Sequence, residues 1–122
     1  MPILNIEIVG PLAASAPAAL AQALADTAAA VLQSRVGSTW VKVRHLDERD
    51  YAENGSSLAR DELPVFVSIL HRQPPVGAEL EQQVTALTLG LARVLGRPED
   101  RVHLEYLPGA AGRQSFGGRL VV

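Results

Sequence analysis

A chain of 122 residues, 48% of them hydrophobic and 20% charged, has the composition of one globular domain, residues 1–122. Its formal net charge is −2 and its basic residues are not clustered, which argues against a nucleic-acid partner. The lack of cysteine excludes disulfides and thiolate chemistry. No basic leader precedes an apolar run, and polar residues interrupt the Ala-rich stretch of residues 12–32, so we expect a cytoplasmic protein without a signal peptide or membrane span.

The first half of the chain predicts a β-α-β unit. Residues Ile3–Val9 (ILNIEIV) alternate apolar and polar positions, as a strand with one buried face does. An Ala-rich helix follows, with Ser15 as its expected N-cap and Gly37 as its expected terminator. Trp40–Leu46 (WVKVRHL) alternates again and is predicted to be the second strand.

The same order of elements recurs in the second half. Pro64–Leu70 (PVFVSIL) is an apolar segment that predicts a third strand. Ala78–Leu95 carries apolar residues at helical spacing, and Gly96 is well placed to end that helix. Val102–Leu107 (VHLEYL) predicts the fourth main strand, and the Gly-rich tail behind it predicts a short strand or hairpin.

Equal spacing between matching elements indicates an internal duplication, although chance alternation of elements is the alternative. Pro2 and Pro64 are 62 residues apart, and so are Trp40 and Val102. The predicted fold is therefore an α/β domain (α+β by some schemes) with a four-stranded sheet and two helices on one face. The uncovered sheet face predicts oligomerisation. The two halves are about residues 2–50 and 64–122.

Pro2 is the first candidate for chemistry. Methionine is usually removed before a small residue, and its removal would expose Pro2 as a free secondary amine. Desolvation and nearby cations disfavour the charged form of such an amine, which lowers its pKa into the range of a general base. We expect Pro2→Ala to abolish activity and to leave the fold intact, because an exposed terminal side chain contributes little to packing.

Three segments resemble the tautomerase superfamily. PILNIEIV, from Pro2, is an apolar strand that starts at the proline itself. FVSILHR, Phe66–Arg72, is similar to the third strand of cis-3-chloroacrylic acid dehalogenase and less closely to that of malonate semialdehyde decarboxylase. Residues 98–121 (PEDRVHLEYLPGAAGRQSFGGRLV) are similar to the last strand and tail of 4-oxalocrotonate tautomerase and macrophage migration inhibitory factor.

The resemblance implies how such a chain would assemble and work. Two β-α-β units would form a four-stranded sheet, and three chains would pack their sheets into a homotrimer. Pro2 would lie in a pocket at a subunit boundary, with cationic groups that hold a small-molecule carboxylate substrate.

Arg72 is the second catalytic candidate, since it matches the arginine of the dehalogenase's HR pair. An arginine there would grip a carboxylate bidentately and depress the pKa of the Pro2 amine; a solvated loop arginine is the alternative. The relatives carry a further arginine shortly afterwards, where this chain has Pro75, Val76 and Gly77.

The remaining candidates follow from matched positions. Lys42 matches an arginine of 4-oxalocrotonate tautomerase, which makes it a candidate carboxylate ligand or else a solvent-facing strand residue. His103 and Glu105 alternate on the fourth strand and so share a face. The resemblance gives His103 the role of a hydrogen-bond donor to an enolate and Glu105 that of pairing with Arg72 or orienting water, while a plain intersubunit contact is the alternative. Tyr51 lies in the mid-chain loop, which borders the pocket in many relatives.

The lead hypothesis is a tautomerase that converts the enol and keto forms of a small 2-oxo acid. Pro2 would act as the general base, Arg72 would stabilise the developing negative charge, and no cofactor or metal would be required. The first alternative is hydration chemistry, namely dehalogenation or decarboxylation of a three-carbon acid, with protonated Pro2 as the acid and Glu105 or His103 activating water. The second is a non-catalytic trimeric binding protein. The histidines show no metal-binding spacing, so no metal site is predicted.

Overall fold

The computed structural model describes residues 2–122, in which two α-helices and six strands form. In chain order they are β1 (Ile3–Val9), α1 (Leu20–Leu32), β2 (Trp40–Leu46), β3 (Val65–Leu70), α2 (Gly77–Leu95), β4 (Val102–Tyr106), β5 (Ser115–Phe116) and β6 (Arg119–Leu120). Single turns of 3₁₀ helix occupy Glu48–Asp50, Arg60–Glu62 and Glu99–Arg101.

The four long strands form one mixed sheet in the order β2-β1-β3-β4. β1 pairs in parallel with β2 and β3 in parallel with β4, and β1 and β3 are antiparallel at the centre. Each parallel pair is joined through a helix, as a β-α-β crossover requires. This arrangement confirms the predicted fold class.

The core lies between the sheet and the two helices. One face of the central strands is fully buried, because β-branched and leucine side chains alternate with polar ones along each strand. Leu24 and Ala28 of α1 and Leu87, Leu91 and Leu95 of α2 pack against that face. The strand residues in this cluster are Leu4, Ile6, Ile8, Val65, Val67 and Ile69.

The opposite face of the sheet, which we call the open face, carries polar and charged side chains. Cross-strand register aligns Lys42, Asn5, Ser68 and Glu105 in one row across the four strands. The next row consists of Arg44, Glu7, Phe66 and His103. Trp40 and Phe66 are 48% and 37% exposed on this side, so large apolar side chains are left uncovered here.

The structure contains two β-α-β units, but the spacing of 62 residues does not align their buried strand faces. An even offset aligns Trp40, which is exposed, with Val102, which is buried. The side-chain period of a strand is two, so equivalent positions on the buried faces must differ by an odd number. Leu4 and Val65, which both face the core, are 61 residues apart.

The ends of α1 differ from the prediction. Ser15 is not the N-cap, because α1 begins five residues later at Leu20 and Ala19 caps it without a side-chain hydrogen bond. Pro17 disfavours helical backbone at the residue before it, which delays the start. Gly37 does not end the helix either, since Gln33 turns the chain with a φ of 52° and donates its N–H to the carbonyl of Ala29.

Two predicted turns are confirmed. Gly96 ends α2 in the left-handed conformation, with a φ of 65°, and its N–H binds the carbonyl of Ala92. Gly117 and Gly118 join β5 to β6 with φ values of 56° and 88°, which fits a tight hairpin turn that only glycine-like residues adopt easily.

Candidate functional site

Pro2 directly precedes β1, the strand that lies between β2 and β3 in the sheet. Its carbonyl oxygen accepts a hydrogen bond of 3.0 Å from the backbone N–H of Trp40, which ties it to the start of β2. Pro2 is buried in this chain, whereas the sequence led us to expect an exposed side chain once it becomes terminal. Met1, and with it the predicted removal of methionine, lies outside the described residues.

A cavity of about 430 Å³ lies beside Pro2. Its walls come from three places: the end of α1 and the loop that follows it, the start of β1, and the two residues that follow β3. They are Leu32, Gln33, Ser34, Arg35, Ser38, Pro2, His71 and Arg72.

Arg72 shares this cavity with Pro2, so the structure brings the two main candidates together. Its backbone is held by the tail, since the N–H of Ala111 binds the carbonyl of Arg72 at 3.2 Å. Gly109 permits this approach, because a Cβ there would lie 2.9 Å from the same carbonyl oxygen. The guanidinium Nε donates to the carbonyl of Val122, and the side chain is exposed, which leaves other N–H donors of the guanidinium available to a carboxylate.

Arg35 is a second cation in the same cavity, and the sequence reasoning missed it. It lies in the loop before β2, where Ser38 donates its backbone N–H to the Arg35 carbonyl at 3.1 Å and closes a turn. Arg35 thus brings a second positive charge to the cavity from another loop. The sequence could have indicated this position, because β1 and β2 are parallel and a residue just before β2 therefore lies near the start of β1.

His71 also lines the cavity, although the sequence reasoning considered it only as a metal ligand. Its Nε2 lies 3.0 Å from Oε1 of Gln83 on α2. The hydroxyl of Tyr106 donates to the same Gln83 oxygen at 2.7 Å. Burial lowers the pKa of His71 below its ordinary value, more strongly than the Gln83 hydrogen bond raises it, and burial raises the pKa of Tyr106.

Lys42 and Glu105 lie on the open face and do not line the Pro2 cavity. The hydroxyl of Ser68 is 3.4 Å from Oε1 of Glu105, in the polar row that also contains Lys42. Lys42 borders two other hollows, one of about 550 Å³ over the sheet centre and one of about 440 Å³ beside Trp40 and Phe116. Within one chain Glu105 is therefore not paired with Arg72.

His103 and Tyr51 lie towards the other end of the sheet. Phe66 connects them, with ring centroids 5.6 Å from His103 and 5.9 Å from Tyr51. Four residues of β3 separate Phe66 from the Pro2 end, about 13 Å of strand. As expected from their alternation, His103 and Glu105 share a face, but neither reaches the cavity of Pro2 in the same chain.

Tyr51 is engaged with two charged neighbours. Its hydroxyl donates to Oε2 of Glu53 at 2.5 Å, and Arg101 forms an ion pair with the same oxygen. Burial and the Glu53 hydrogen bond raise the pKa of Tyr51, while the Tyr51 and Arg101 hydrogen bonds lower the pKa of Glu53. The contacts tie the mid-chain loop to the start of β4.

Residues 2–122 contain neither a metal-binding cluster nor a membrane-spanning helix. No group of three or more His, Asp or Glu side chains in this range is arranged to hold a metal ion, and the three histidines lie on or after different strands. Neither of the helices found there has the length and apolar character needed to cross a membrane.

Comparison with known proteins gives matches in structure and none in sequence. No protein-family model and no curated protein matches the chain. A fused 4-OT solved as an asymmetric trimer is 16% identical, with a TM-score of 0.76 over 97% of this chain and 94% of that one. A macrophage migration inhibitory factor from Oncomelania hupensis is 17% identical, with a TM-score of 0.74 over 100% and 83%.

A third solved structure, FG41 malonate semialdehyde decarboxylase inhibited by 3-bromopropiolate, is 19% identical. Its TM-score is 0.70, over 94% of this chain and 88% of that one. All three relatives are tautomerase-superfamily proteins. The chain thus has the fold of the tautomerase superfamily, which confirms the resemblance inferred from its sequence.

Proposed function

We propose that the protein is a tautomerase that interconverts the enol and keto forms of a small 2-oxo acid, with Pro2 as the general base. The observation that carries the proposal is the shared cavity of Pro2 and Arg72. An amine and a cation next to each other can take a proton from a substrate and hold its carboxylate at the same time.

Two arginines act on the substrate and on the amine in this account. Arg72 and Arg35 line the cavity, so both can attract a carboxylate, and Arg72 can bind it through its free N–H donors. Their positive charge also disfavours protonation of the Pro2 amine, and burial of Pro2 acts in the same direction. Both effects favour the neutral amine that a base mechanism needs at neutral pH.

The proton transfer is internal. The Pro2 nitrogen takes a proton from the hydroxyl or carbon of the substrate, and the electron pair stays on the substrate as an enolate. The cationic groups stabilise that charge, and Pro2 then returns the proton to another atom of the same molecule. The step consumes no co-reactant.

A homotrimer is part of the proposal. The open face displays charged rows and two aromatic rings, Trp40 and Phe66, that stay partly exposed in one chain, and the matched fused 4-OT is a trimer. A neighbouring chain could then bring Lys42, Tyr51, His103 or Glu105 to the cavity of Pro2. A cytoplasmic location stays a prediction from the sequence.

Hydration chemistry is the second candidate, and one observation supports it. Among the matched structures is malonate semialdehyde decarboxylase. In this mechanism Pro2 is protonated and acts as an acid, and Glu105 or His103 activates water. A base mechanism gains rate as the Pro2 amine loses its proton, whereas an acid mechanism loses rate, so the pH dependence of kcat/KM separates the two. A non-catalytic trimeric binding protein is the remaining alternative.

The test is a direct assay with two substrates. Protein whose lack of Met1 has been shown by intact-mass spectrometry is incubated with phenylpyruvate enol and with 2-hydroxymuconate, and ketonisation is followed by absorbance. Pro2→Ala is the test variant, and Pro17→Ala, at an exposed loop proline, is the matched control. Because Pro2 is buried, thermal unfolding must show that Pro2→Ala is folded. Activity in the wild type and control, and none in Pro2→Ala, supports the proposal.

A further inference from the structure

Gln83 is the common partner of the two ring side chains behind the Pro2 cavity. Its Oε1 accepts a hydrogen bond from the Tyr106 hydroxyl at 2.7 Å and lies 3.0 Å from Nε2 of His71. All three side chains are half-buried, and they come from α2, β4 and the end of β3. A glutamine in the middle of a helix carries no motif, so its role is visible only in the structure.

With Oε1 of Gln83 facing Nε2, this arrangement selects one tautomer of His71. An amide oxygen only accepts hydrogen bonds, so the Nε2 that binds it must carry the hydrogen. In a neutral imidazole the other nitrogen, Nδ1, is then an acceptor. The ring is also held in orientation, because it lies parallel to the Tyr106 ring at an interplanar angle of 3° and a centroid distance of 5.9 Å.

The fixed ring lies at the candidate catalytic centre. His71 lines the same cavity as Pro2 and Arg72, and its carbonyl accepts the N–H of Ala110 at 2.8 Å, which holds its backbone in place. Burial lowers the pKa of the imidazole, which favours its neutral form. The titratable and charged groups around it are the Pro2 amine from β1, Arg72 after β3, Arg35 before β2 and Tyr106 from β4.

We propose that Gln83 is a positioning residue for Pro2: it holds His71 as the Nε2–H tautomer, so that Nδ1 accepts a hydrogen bond from the Pro2 amine while that amine carries the substrate's proton. The inference rests on the proposed function and deepens it. No proton leaves the cycle, since the new N–H of Pro2 is donated to Nδ1 as a hydrogen bond and then returns to the substrate. A cationic imidazole could not serve, because both of its nitrogens are donors.

The first experiment is independent of activity. Long-range ¹H–¹⁵N NMR of the wild-type protein reports which imidazole nitrogen of His71 carries the hydrogen. The proposal expects the Nε2–H form, and expects that form to lose its preference in Gln83→Leu. An Nδ1–H tautomer in the wild type would mean that the amide of Gln83 is turned around, and it overturns the proposal.

The second experiment measures kcat/KM against pH in variants of Gln83. Gln83→Leu should lower kcat/KM on the order of tenfold, because a mobile ring no longer holds its acceptor in place. Gln82→Leu changes an exposed neighbour on the same helix and should leave the rate unchanged. Tyr106→Phe, which removes one donor to Gln83 and keeps the ring, should lie between the two.

Gln83→Glu tests whether His71 acts as a hydrogen-bond acceptor or only as a positive charge. The carboxylate favours the imidazolium and raises the pKa of His71. If Nδ1 is needed as an acceptor, activity then begins at a higher pH than in the wild type. If His71 acts only as a positive charge, the imidazolium lowers the pKa of Pro2 and activity begins at a lower pH, which overturns the proposal.

The experiments distinguish failure of the Gln83 role from failure of the proposed function. An inactive Pro2→Ala together with a Gln83→Leu whose rate and pH profile match the wild type overturns the role of Gln83 and leaves the function standing. A Pro2→Ala variant as active as the wild type overturns both.

Discussion

Arg72 and Arg97 show how surroundings decide what an arginine does in this chain. Arg72 is exposed at the rim of the Pro2 cavity, where its charge is available to a ligand. Arg97 is only 7% exposed, and burial lowers its pKa. Its guanidinium donates to three backbone carbonyls, those of Leu63 at 2.6 Å and of Val9 and Pro11 at 2.9 Å.

We expect Arg97→Met to destabilise the fold without touching the Pro2 cavity. The substitution leaves three carbonyls without their charged donor, which should lower the free energy of unfolding by about 3 kcal/mol. Arg97→Lys keeps the charge but loses the planar fork that reaches all three carbonyls, so it should show a smaller loss. Urea denaturation measures both variants, and a wild-type midpoint for Arg97→Met would contradict the role.

The sequence predicts a candidate residue well where its place in the chain decides its role. Pro2 and Arg72 follow from the head of the first strand and the end of the third, and the structure places both at one cavity. Gln83 and Arg35 could not be predicted, because a helix glutamine and a loop arginine have many possible neighbours. Their roles depend on which elements pack together, and no local pattern encodes that.

Helix ends are the elements in which prediction from sequence both succeeds and fails here. Gly96 follows α2 directly, and glycine at that position costs nothing in the left-handed conformation. The end of α1 has no such signal, because a glutamine, Gln33, adopts the same left-handed conformation there. The strands could be predicted more accurately, because alternating apolar and polar residues indicate both the strand and its buried face.

We expect Gly96→Ala to destabilise the protein by about 2 kcal/mol, the sum of left-handed backbone strain and a contact. The added Cβ would lie 2.9 Å from the Cβ of Ala13, in the segment before α1. Gly112→Ala is the matched control, because its φ of 77° imposes similar strain and nothing lies within 4 Å of the added Cβ. Thermal unfolding should show a larger loss for Gly96→Ala, and equal losses would mean that the Ala13 contact is unimportant.

The accessible surface of one chain is larger than that expected for a monomer of its mass. Its accessible area is 7566 Å², whereas a monomer of this mass is expected to expose about 6300 Å². The open face supplies part of the excess, with exposed Trp40 and Phe66 among charged rows. The sequence predicted the uncovered face from two helices on a four-stranded sheet, but it does not contain the geometry by which further chains would cover it.

We expect the wild-type protein to sediment as a homotrimer. A substitution that dissociates the trimer should also abolish its activity. Phe66→Glu would place a second carboxylate beside Glu7 on the open face, which should dissociate the chains by repulsion and desolvation. Ala21→Glu adds the same charge at an exposed position of α1 and should leave the trimer intact. Analytical ultracentrifugation at micromolar concentration measures the oligomeric state of both variants. A fully active wild-type monomer would contradict the proposal that a neighbouring chain completes the Pro2 cavity.

We propose above that the amine of Pro2 performs the chemistry. The most direct measurement is the ketonisation rate of phenylpyruvate enol with protein that lacks Met1, compared between the wild type, Pro2→Ala and Pro17→Ala. We expect the rate of Pro2→Ala to fall to that of the uncatalysed reaction, while Pro17→Ala keeps the wild-type rate and both variants stay folded. A folded Pro2→Ala protein that ketonises the substrate at the wild-type rate would contradict it.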